Sequence, residues 1–542
     1  MLQKTKYHFV GLITGLFVLL AASVVLAAQW KVVDLSHKWE NGMPIWQAKF
    51  NDISLAAGNT RDECYEALGG WFLYNLAFGE HTGTHIDAPA HRVEGLWDLD
   101  DISIQHLFGK AVVMDMRAYV KDQNAYEITI QDVKDWERRL QIRLKDIAHH
   151  GFVYIWTGWD KYWDDYVKGV NDRFQVPNFP GISKQVAEYL AEEVGVLGVG
   201  IDTLSIDPGP SQDFPAHIVL FTHGILVVEN LINLASIANR VVYVLQAPMK
   251  IKNGSAGPAR VWAIYDPGIV TIEGQNAWAD RLDARFRKAR VWDLTNYIEN
   301  GMHIWQGVFG GEYAPTGITP ALDYKLDGGW YAQKLRANEH TGTHVDAPAH
   351  RIEGKKWTID AVSIDKFYGP AVIIDVSDYG SEEGDWILSL NDVKDWQERH
   401  PALQIQRGYI PVFYLGWVDE WAKHVHGIER EKETYHFPGV GGDVAKYLVE
   451  VGVDGVGTDV TSIDAAITAI YGKGTPVENN PTHVTLCSNG IWNCENMGFQ
   501  LPLCLNTKGY IFFLTMPYVK GGSGGSTRVF YFEGLELPEL ED

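Results

Sequence analysis

The segment His81-Thr-Gly-Thr-His85-Ile-Asp87-Ala-Pro-Ala-His91 occurs a second time as His340-Thr-Gly-Thr-His344-Val-Asp346-Ala-Pro-Ala-His350. Three imidazoles and a carboxylate within eleven residues are the ligand types that hold zinc, manganese or iron, and no thiolate pulls the set toward a closed structural zinc site. A straight strand would place His81, His85, Asp87 and His91 on one face but spread them over about 30 Å, too far for one ion. A regular helix would align His81 with His85 and turn Asp87 elsewhere. Gly83 and Pro89 supply the irregularity, so the spacing predicts a turn that gathers His81, His85 and Asp87, then a bend that returns His91 from the side.

A second set lies downstream. His217 is followed twelve residues later by Glu229, and His483 twelve residues later by Glu495. One such pair means little; the same spacing in both copies marks all four as candidate ligands. His223 is a further imidazole near this set. It has no counterpart in the second copy, where Asn489 stands.

The repeat extends well beyond the histidines. Val33-Asp34-Leu35-Ser36 returns as Trp292-Asp293-Leu294-Thr295, and Asp132-Val-Lys-Asp-Trp136 as Asp392-Val-Lys-Asp-Trp396. A period near 260 is too long for a solenoid and describes a duplicated domain. The expected organisation is a leader over residues 1–28, a first domain over 29–275, a helical linker over 276–290 and a second domain over 291–542. Within each copy, apolar β-branched runs such as Ala111 to Met116, Phe152 to Trp156, Ala371 to Val376 and Pro411 to Leu415 read as buried strands. Ser183 to Val194 and Asp443 to Val451 read as helices. The class is α/β, strand-rich, with helices packed outside. Gly195-Val-Leu-Gly198-Val-Gly200 imitates a dinucleotide loop but runs into Asp202 with no helix behind it.

The chain has 542 residues, a formal net charge of -23 and 12% aromatics. So acidic a surface repels a phosphate backbone, which argues against nucleic acid as a partner. Lys4 and Lys6 precede an apolar run from Phe9 to Ala28 that ends in small residues, the pattern of a secretory signal or an uncleaved N-terminal anchor. The protein is therefore expected to be exported, periplasmic or extracellular, with no other membrane association. The four cysteines, Cys64, Cys487, Cys494 and Cys504, are not shared between copies, so they form no common framework, although a bridge among the last three is compatible with an oxidising compartment. No Gly-x-Ser-x-Gly elbow has a triad order around it. Ser255 and Ser523 sit in glycine-rich turns that read as loop-shaping, with Arg260 and Arg528 just beyond them as candidates for the neighbourhood of the site.

The pattern His-x-Gly-Thr-His-x-Asp-x-Pro-x-His with a downstream His and Glu resembles the cyclase family of metal-dependent hydrolases, which includes bacterial kynurenine formamidase and isatin hydrolase. The resemblance spans Asp34 to Arg260 and Asp293 to Arg528. It implies a barrel-like β core of swivelling β/β/α type in each half. It also implies one or two divalent ions, Zn or Mn, per domain: His81, His85 and Asp87 around one, with Asp87 bridging to another held by His217 and Glu229. In the second copy the set is His340, His344, Asp346, His483 and Glu495. His91 and His350, outside the tightest ligand group, would serve as acid/base residues, and Trp46 and Trp305 as substrate contacts. Family members commonly pair with their sites near the subunit contact, so two fused copies would form an intramolecular pseudo-dimer. The activity implied is hydrolysis of a C–N bond in a small amide, formamide or cyclic amide, arylformamidase-like. The alternatives are opening of a lactone or isatin-type ring, and a non-catalytic metal- or ligand-binding protein.

Overall fold

The computed structural model describes residues 30–41, 43–44, 72–174, 177–299, 317–322, 325, 328–352, 357–380, 385–418, 436–469 and 476–537. The leader over residues 1–28, Trp46, Trp305 and Cys64 lie outside the described residues. Among the described residues no helix is long and apolar enough to cross a membrane.

Each half closes a mixed sheet into a seven-stranded barrel. The first half contributes β1 (Lys31–Asp34), β2 (Asn75–Gly79), β3 (His85–Asp87), β4 (Phe108–Asp115), β5 (Phe152–Trp156), β6 (Gly198–Ile201), β7 (Leu226–Glu229), β8 (Val241–Pro248) and β9 (Ala256–Tyr265). The ring runs β9-β8-β4-β5-β6-β7-β3 and closes through a β3–β9 pairing, with β1 added outside β9. β4 to β7 are parallel and the remaining pairings antiparallel.

The second half repeats this with β10 (Arg290–Asp293), β11 (Gly317–Leu322), β12 (Ala332–Asn338), β13 (His344–Asp346), β14 (Tyr368–Asp375), β15 (Ile410–Tyr414), β16 (Gly455–Thr458), β17 (Trp492–Glu495), β18 (Thr507–Thr515) and β19 (Gly524–Glu533). Its ring is β19-β13-β17-β16-β15-β14-β18, closed by β18–β19.

Strand alternation sorts the side chains. Ala111 and Val113 face the inner cluster, while Val112 and Met114 face the helices outside. Those helices are α1 (Ile130–Leu140), α2 (Lys184–Glu188) and α3 (Pro215–Thr222). The repeated Asp-Val-Lys-Asp-Trp now has a physical reading. Thr129 and Asp132 form a capping box at the start of α1, Val133 and Trp136 are its buried face, and Trp136 Nε1 donates to Asn239 at 2.8 Å. Ser389, Asp392, Val393 and Trp396 do the same for α5 (Leu390–Arg399). The helix expected from Ser183 is capped by Ser183, but its last turn, Tyr189–Val194, widens to π geometry before Gly195 ends it in a left-handed conformation.

Between the barrels runs α4 (Ile272–Lys288), which starts earlier than the expected linker because Thr271 caps it; Arg290 already belongs to β10. Phe286 of α4 is fully buried. Its ring lies 4.9 Å from Tyr243 of the first half and 4.7 Å from Phe532 of the second. Burying such a ring contributes about 1.5–3 kcal/mol, so the connector is part of a core shared by both halves. Phe108 against Phe532 and Trp262 against Tyr368 continue that core.

A three-stranded sheet also joins the halves: β2 pairs antiparallel with β12, and β12 with β11. Ala77 faces Arg336, and these two positions are equivalents under the 259-residue offset of the histidine segments. A local two-fold axis therefore passes through this pair.

Candidate metal centres

The repeated segment departs from regular structure where the spacing requires it. Gly83 has φ of +66°, and a Cβ there would lie 2.6 Å from Trp39 Nε1, so the turn needs glycine for both backbone and space. The chain then becomes β3, in which His85 and Asp87 share a face and Ile86 enters the core. Pro89 opens a single 3-10 turn, Pro89–His91, that swings His91 back until its ring centre is 3.9 Å from that of His81. Glu229 stands directly opposite His85 in the β3–β7 ladder. His217 arrives from the first turn of α3.

All ten residues expected to hold metal fall into two buried clusters of matching geometry. In the first, His81 Nδ1 is 2.8 Å from Asp87 Oδ1, and His85 Nε2 is 3.2 Å from Asp87 Oδ1 and 3.4 Å from Glu229 Oε2. His217 Nε2 is 3.6 Å from Asp87 Oδ2 and 3.3 Å from Glu229 Oε1. In the second, the distances are 2.5 Å for His340 to Asp346, and 3.2 and 3.4 Å for His344 to Asp346 and Glu495. His483 lies 3.1 Å from each of Asp346 and Glu495. Donor atoms of His81, Asp87 and His91 lie within 4.8 Å of one another, as do those of His85, Asp87 and Glu229, and both groupings recur in the second half. His91 and His350 therefore do not stand apart from the ligand group, as the sequence spacing suggested. The 3-10 turn brings them into ligand range.

The surrounding hydrogen bonds fix which nitrogen faces inward. His85 Nδ1 donates to the Gly83 carbonyl at 2.9 Å, and His344 Nδ1 to the Gly342 carbonyl at 2.9 Å, leaving Nε2 for the cluster. His217 Nδ1 donates to Asp207 at 2.6 Å and His483 Nδ1 to Asp464 at 2.6 Å. Such carboxylate–histidine pairs orient a ligand imidazole and raise its basicity. Asp207 also accepts from the backbone N–H groups of Ala216 and His217, so one carboxylate caps α3 and aims its histidine.

The residues fit a cation. His85 Nε2 and Asp87 Oδ2 are buried without a hydrogen-bond partner, a costly state that a divalent ion relieves. Burial pushes His85 down, but Asp87 and Glu229 overcome it and raise the group to about 10. Burial likewise opposes the charge on His217, and Asp207, Asp87 and Glu229 still raise it well above the usual imidazole range. The pocket's carboxylates thus demand positive charge. His91 goes the other way: burial, then the neighbouring His81, holds it well below the ordinary value, so it is neutral.

Each centre is completed by the other half. His91 Nδ1 donates to the Tyr331 carbonyl at 2.8 Å, and His350 Nδ1 to the Phe72 carbonyl at 2.6 Å. Glu80, fully buried, accepts from Gln333 N at 2.9 Å and from Ser255; Glu339 accepts from Tyr74 N at 2.9 Å and from Ser523. Burial raises Glu80 to about 8 and Glu339 to about 7. Trp330 of the second half lies 4.8 Å from the His91 ring and 4.6 Å from Phe214, and the Arg92 guanidinium stacks on it at 4.0 Å.

Ser255 and Ser523 do more than shape loops. Ser255 Oγ is 3.1 Å from His81 Nε2, and Ser523 Oγ 2.9 Å from His340 Nε2. With Asp87 or Asp346 on Nδ1, this has the connectivity of a nucleophilic triad. Both hydroxyls, however, are fully buried and hydrogen-bonded to Glu80 or Glu339, out of reach of a substrate. Arg260 and Arg528 are not at the centres. They bind Asp34 and Asp293 at 2.7 and 2.8 Å along the seam between the halves. His223 ends α3, donating to Val219 O at 2.8 Å on a side chain 41% exposed. Cys487, Cys494 and Cys504 are buried and free.

Sequence reasoning passed over Glu80, Glu339, Asp207, Asp464 and Trp330. Glu80 and Glu339 extend the repeated segment by one residue. Asp207 and Asp464 end the repeated Ser205-Ile206-Asp207 and Ser462-Ile463-Asp464. Trp330 follows a Gly-Gly pair that also precedes Trp71.

The Cyclase family model matches residues 33–208 and again 292–465. Isatin hydrolase of Roseibium aggregatum is 28% identical over 215 residues, 37% of this chain and 78% of that protein. Kynurenine formamidase of Salinibacter ruber is 28% identical over 230 residues, 42% of this chain and 95% of its own. The solved isatin hydrolase A from Ralstonia solanacearum superposes with a TM-score of 0.37 at 28% identity, covering 43% of this chain and 92% of that one. Two matches to one model, spanning more than half of the residues and each containing a full copy of the histidine segment, establish that this chain belongs to the cyclase family.

Proposed function

We propose that each half is a metal-dependent hydrolytic centre that cleaves the C–N bond of a small amide, formamide or cyclic amide. The carrying observation is the pair of buried His/Asp/Glu clusters, whose acceptor atoms converge without hydrogen-bond partners at Asp87 and His85. The ion, Zn or Mn, would be held by His81, His85, Asp87, His217 and Glu229, and by His340, His344, Asp346, His483 and Glu495. When bound, such an ion supplies Lewis acidity and brings the pKa of water toward about 7.

The chain's own residues do the rest. His91, neutral and with its proton on Nδ1 against Tyr331, turns Nε2 toward the reacting centre. It takes a proton from the attacking water and returns it to the departing nitrogen, as His350 does in the second half. Asp207 and Asp464 keep His217 and His483 in one tautomer. Trp330, Phe214 and Phe221 wall the first centre, which suits a flat aromatic substrate. A second ion beside His81, Asp87 and His91 would make His91 a ligand, so occupancy and proton transfer are linked.

An arylformamidase-like activity is supported by the likeness to kynurenine formamidases. The likeness to isatin hydrolase favours ring opening as the second reading. The apolar run ahead of residue 29 supports an exported enzyme, and the exchanged contacts between halves support a pseudo-dimer within one chain. The test is turnover of formanilides, cyclic amides and lactones by the full chain with added Zn2+ or Mn2+. Hydrolysis of the amides or formanilides supports the reading. Turnover of none, with stoichiometric metal bound, would make the protein a binding module.

A further inference from the structure

The two centres differ at a position that faces their ligands. In the first, Asp87 pairs across the ladder with Val227; in the second, Asp346 pairs with Asn493. Both side chains are buried. Strand alternation puts each on the same face as the metal-binding glutamate two residues later. Val227 packs among the apolar residues beneath the outer helices. Asn493 Nδ2 instead lies 3.0 Å from Asp346 Oδ2 and 3.2 Å from Glu495 Oε1. These are the two oxygens that lie 3.1 Å from His483 Nε2. Asn493 Oδ1 is buried with no hydrogen-bond partner.

A stranded amide oxygen in a fully buried site is unfavourable. The amide stays in that orientation because Nδ2 donates to Asp346 and Glu495, the oxygens that would ligate an ion. We propose that the Asn493 amide nitrogen, donating to Asp346 and Glu495, orients these two carboxylates for the divalent ion of the second half, so that the two halves are unequal metal sites. Val227 gives the first half no such donor, so the second half should bind a divalent ion more tightly than the first. The inference rests on the metal reading above.

The experiment is calorimetric titration of the chelator-treated full chain with Mn2+ and, separately, Zn2+, for wild type, Asn493→Val and Val227→Asn. Wild type is expected to bind Mn2+ in two affinity classes. Asn493→Val should weaken one class by about 10–100-fold, the range for loss of a group that supports a metal ligand, and leave the other unchanged. Val227→Asn should tighten the other class. If Asn493→Val does not fold by circular dichroism, Asn493→Leu, close to the amide in shape, is read in its place. Unchanged classes, or equal shifts in both, overturn the role of Asn493 while leaving the metal reading intact. A wild type that binds neither ion overturns both.

Discussion

The first half lines its centre with Phe214 and Phe221, flanking His217 on α3. At the matching positions the second half carries Asn480 and Cys487, flanking His483 on α6 (Pro481–Ser488). Around these changed walls the ligand positions are identical in type, and corresponding separations differ by no more than 0.5 Å. The contrast separates two constraints. Holding an ion fixes residue identity, tautomer and the orienting carboxylate. Holding a substrate fixes only the shape and polarity of the wall, which has diverged. What has not diverged is the exchange across the local two-fold, where each half lends a carbonyl to His91 or His350 of the other.

The sharpest way to break the comparison is to separate its members. Expressed alone, residues 29–275 would lose the Tyr331 carbonyl from His91, the Gln333 N–H from Glu80 and the whole of β12 beside β2. The expected result is loss of soluble, active protein, read by size-exclusion chromatography and turnover. A fully active monomer of that half would show that the exchange is dispensable.

Next in size is removal of the proposed proton carrier from one half at a time. His91→Ala should lower turnover of the substrate used by the first centre by about 10²–10⁴-fold, with metal content unchanged; His350→Ala should act on the second centre alone. Metal loss on His91→Ala would reassign that histidine as a ligand.

Trp330→Ala sharpens the comparison from the wall side. Its ring belongs to the second half, where it packs on Leu322 and Ala332, and its ring contacts with His91, Phe214 and His217 are all at the first centre. An aromatic contact of this kind contributes about 0.5–1.5 kcal/mol beyond its buried area. The expected outcome is a several-fold higher KM at the first centre and no change at the second, measured in His91→Ala and His350→Ala backgrounds.

The smallest effect concerns pH. Glu80 and Glu339 hold protons to about pH 8 and 7 in the fold, against an ordinary 4.5. Between those values the folded chain binds more protons than the unfolded one, so its stability falls as pH rises through the window. The melting temperature of the metal-free chain should therefore drop from pH 5 to pH 8, and Glu80→Gln with Glu339→Gln should flatten that drop. An unchanged slope would mean that neither carboxyl is protonated in the fold.

Much of this was legible in the sequence because it is local or duplicated. The strands around Val112 and Ile373 declare themselves by apolar runs, and the ten ligand positions by identical spacing. Fold closure, the β3–β9 pairing that turns a sheet into a barrel, leaves no local signal. Nor does the proximity of His91 to His81, which depends on a 3-10 turn after Pro89. Glu80 has no distinguishing signal of burial in the sequence; it is buried because a strand from the other half covers it. Arg260 looked like an active-site residue because it follows the glycine-rich turn, yet four further residues along β9 carry it to the seam.

The central claim is that each half gathers its imidazoles and carboxylates around its own divalent ion. Metal content per chain, measured on the folded full-length protein and on Asp87→Ala, Asp346→Ala and the double variant, tests it most directly. The account predicts a fall in each single variant and none left in the double. Metal retained undiminished in the folded double variant would contradict it.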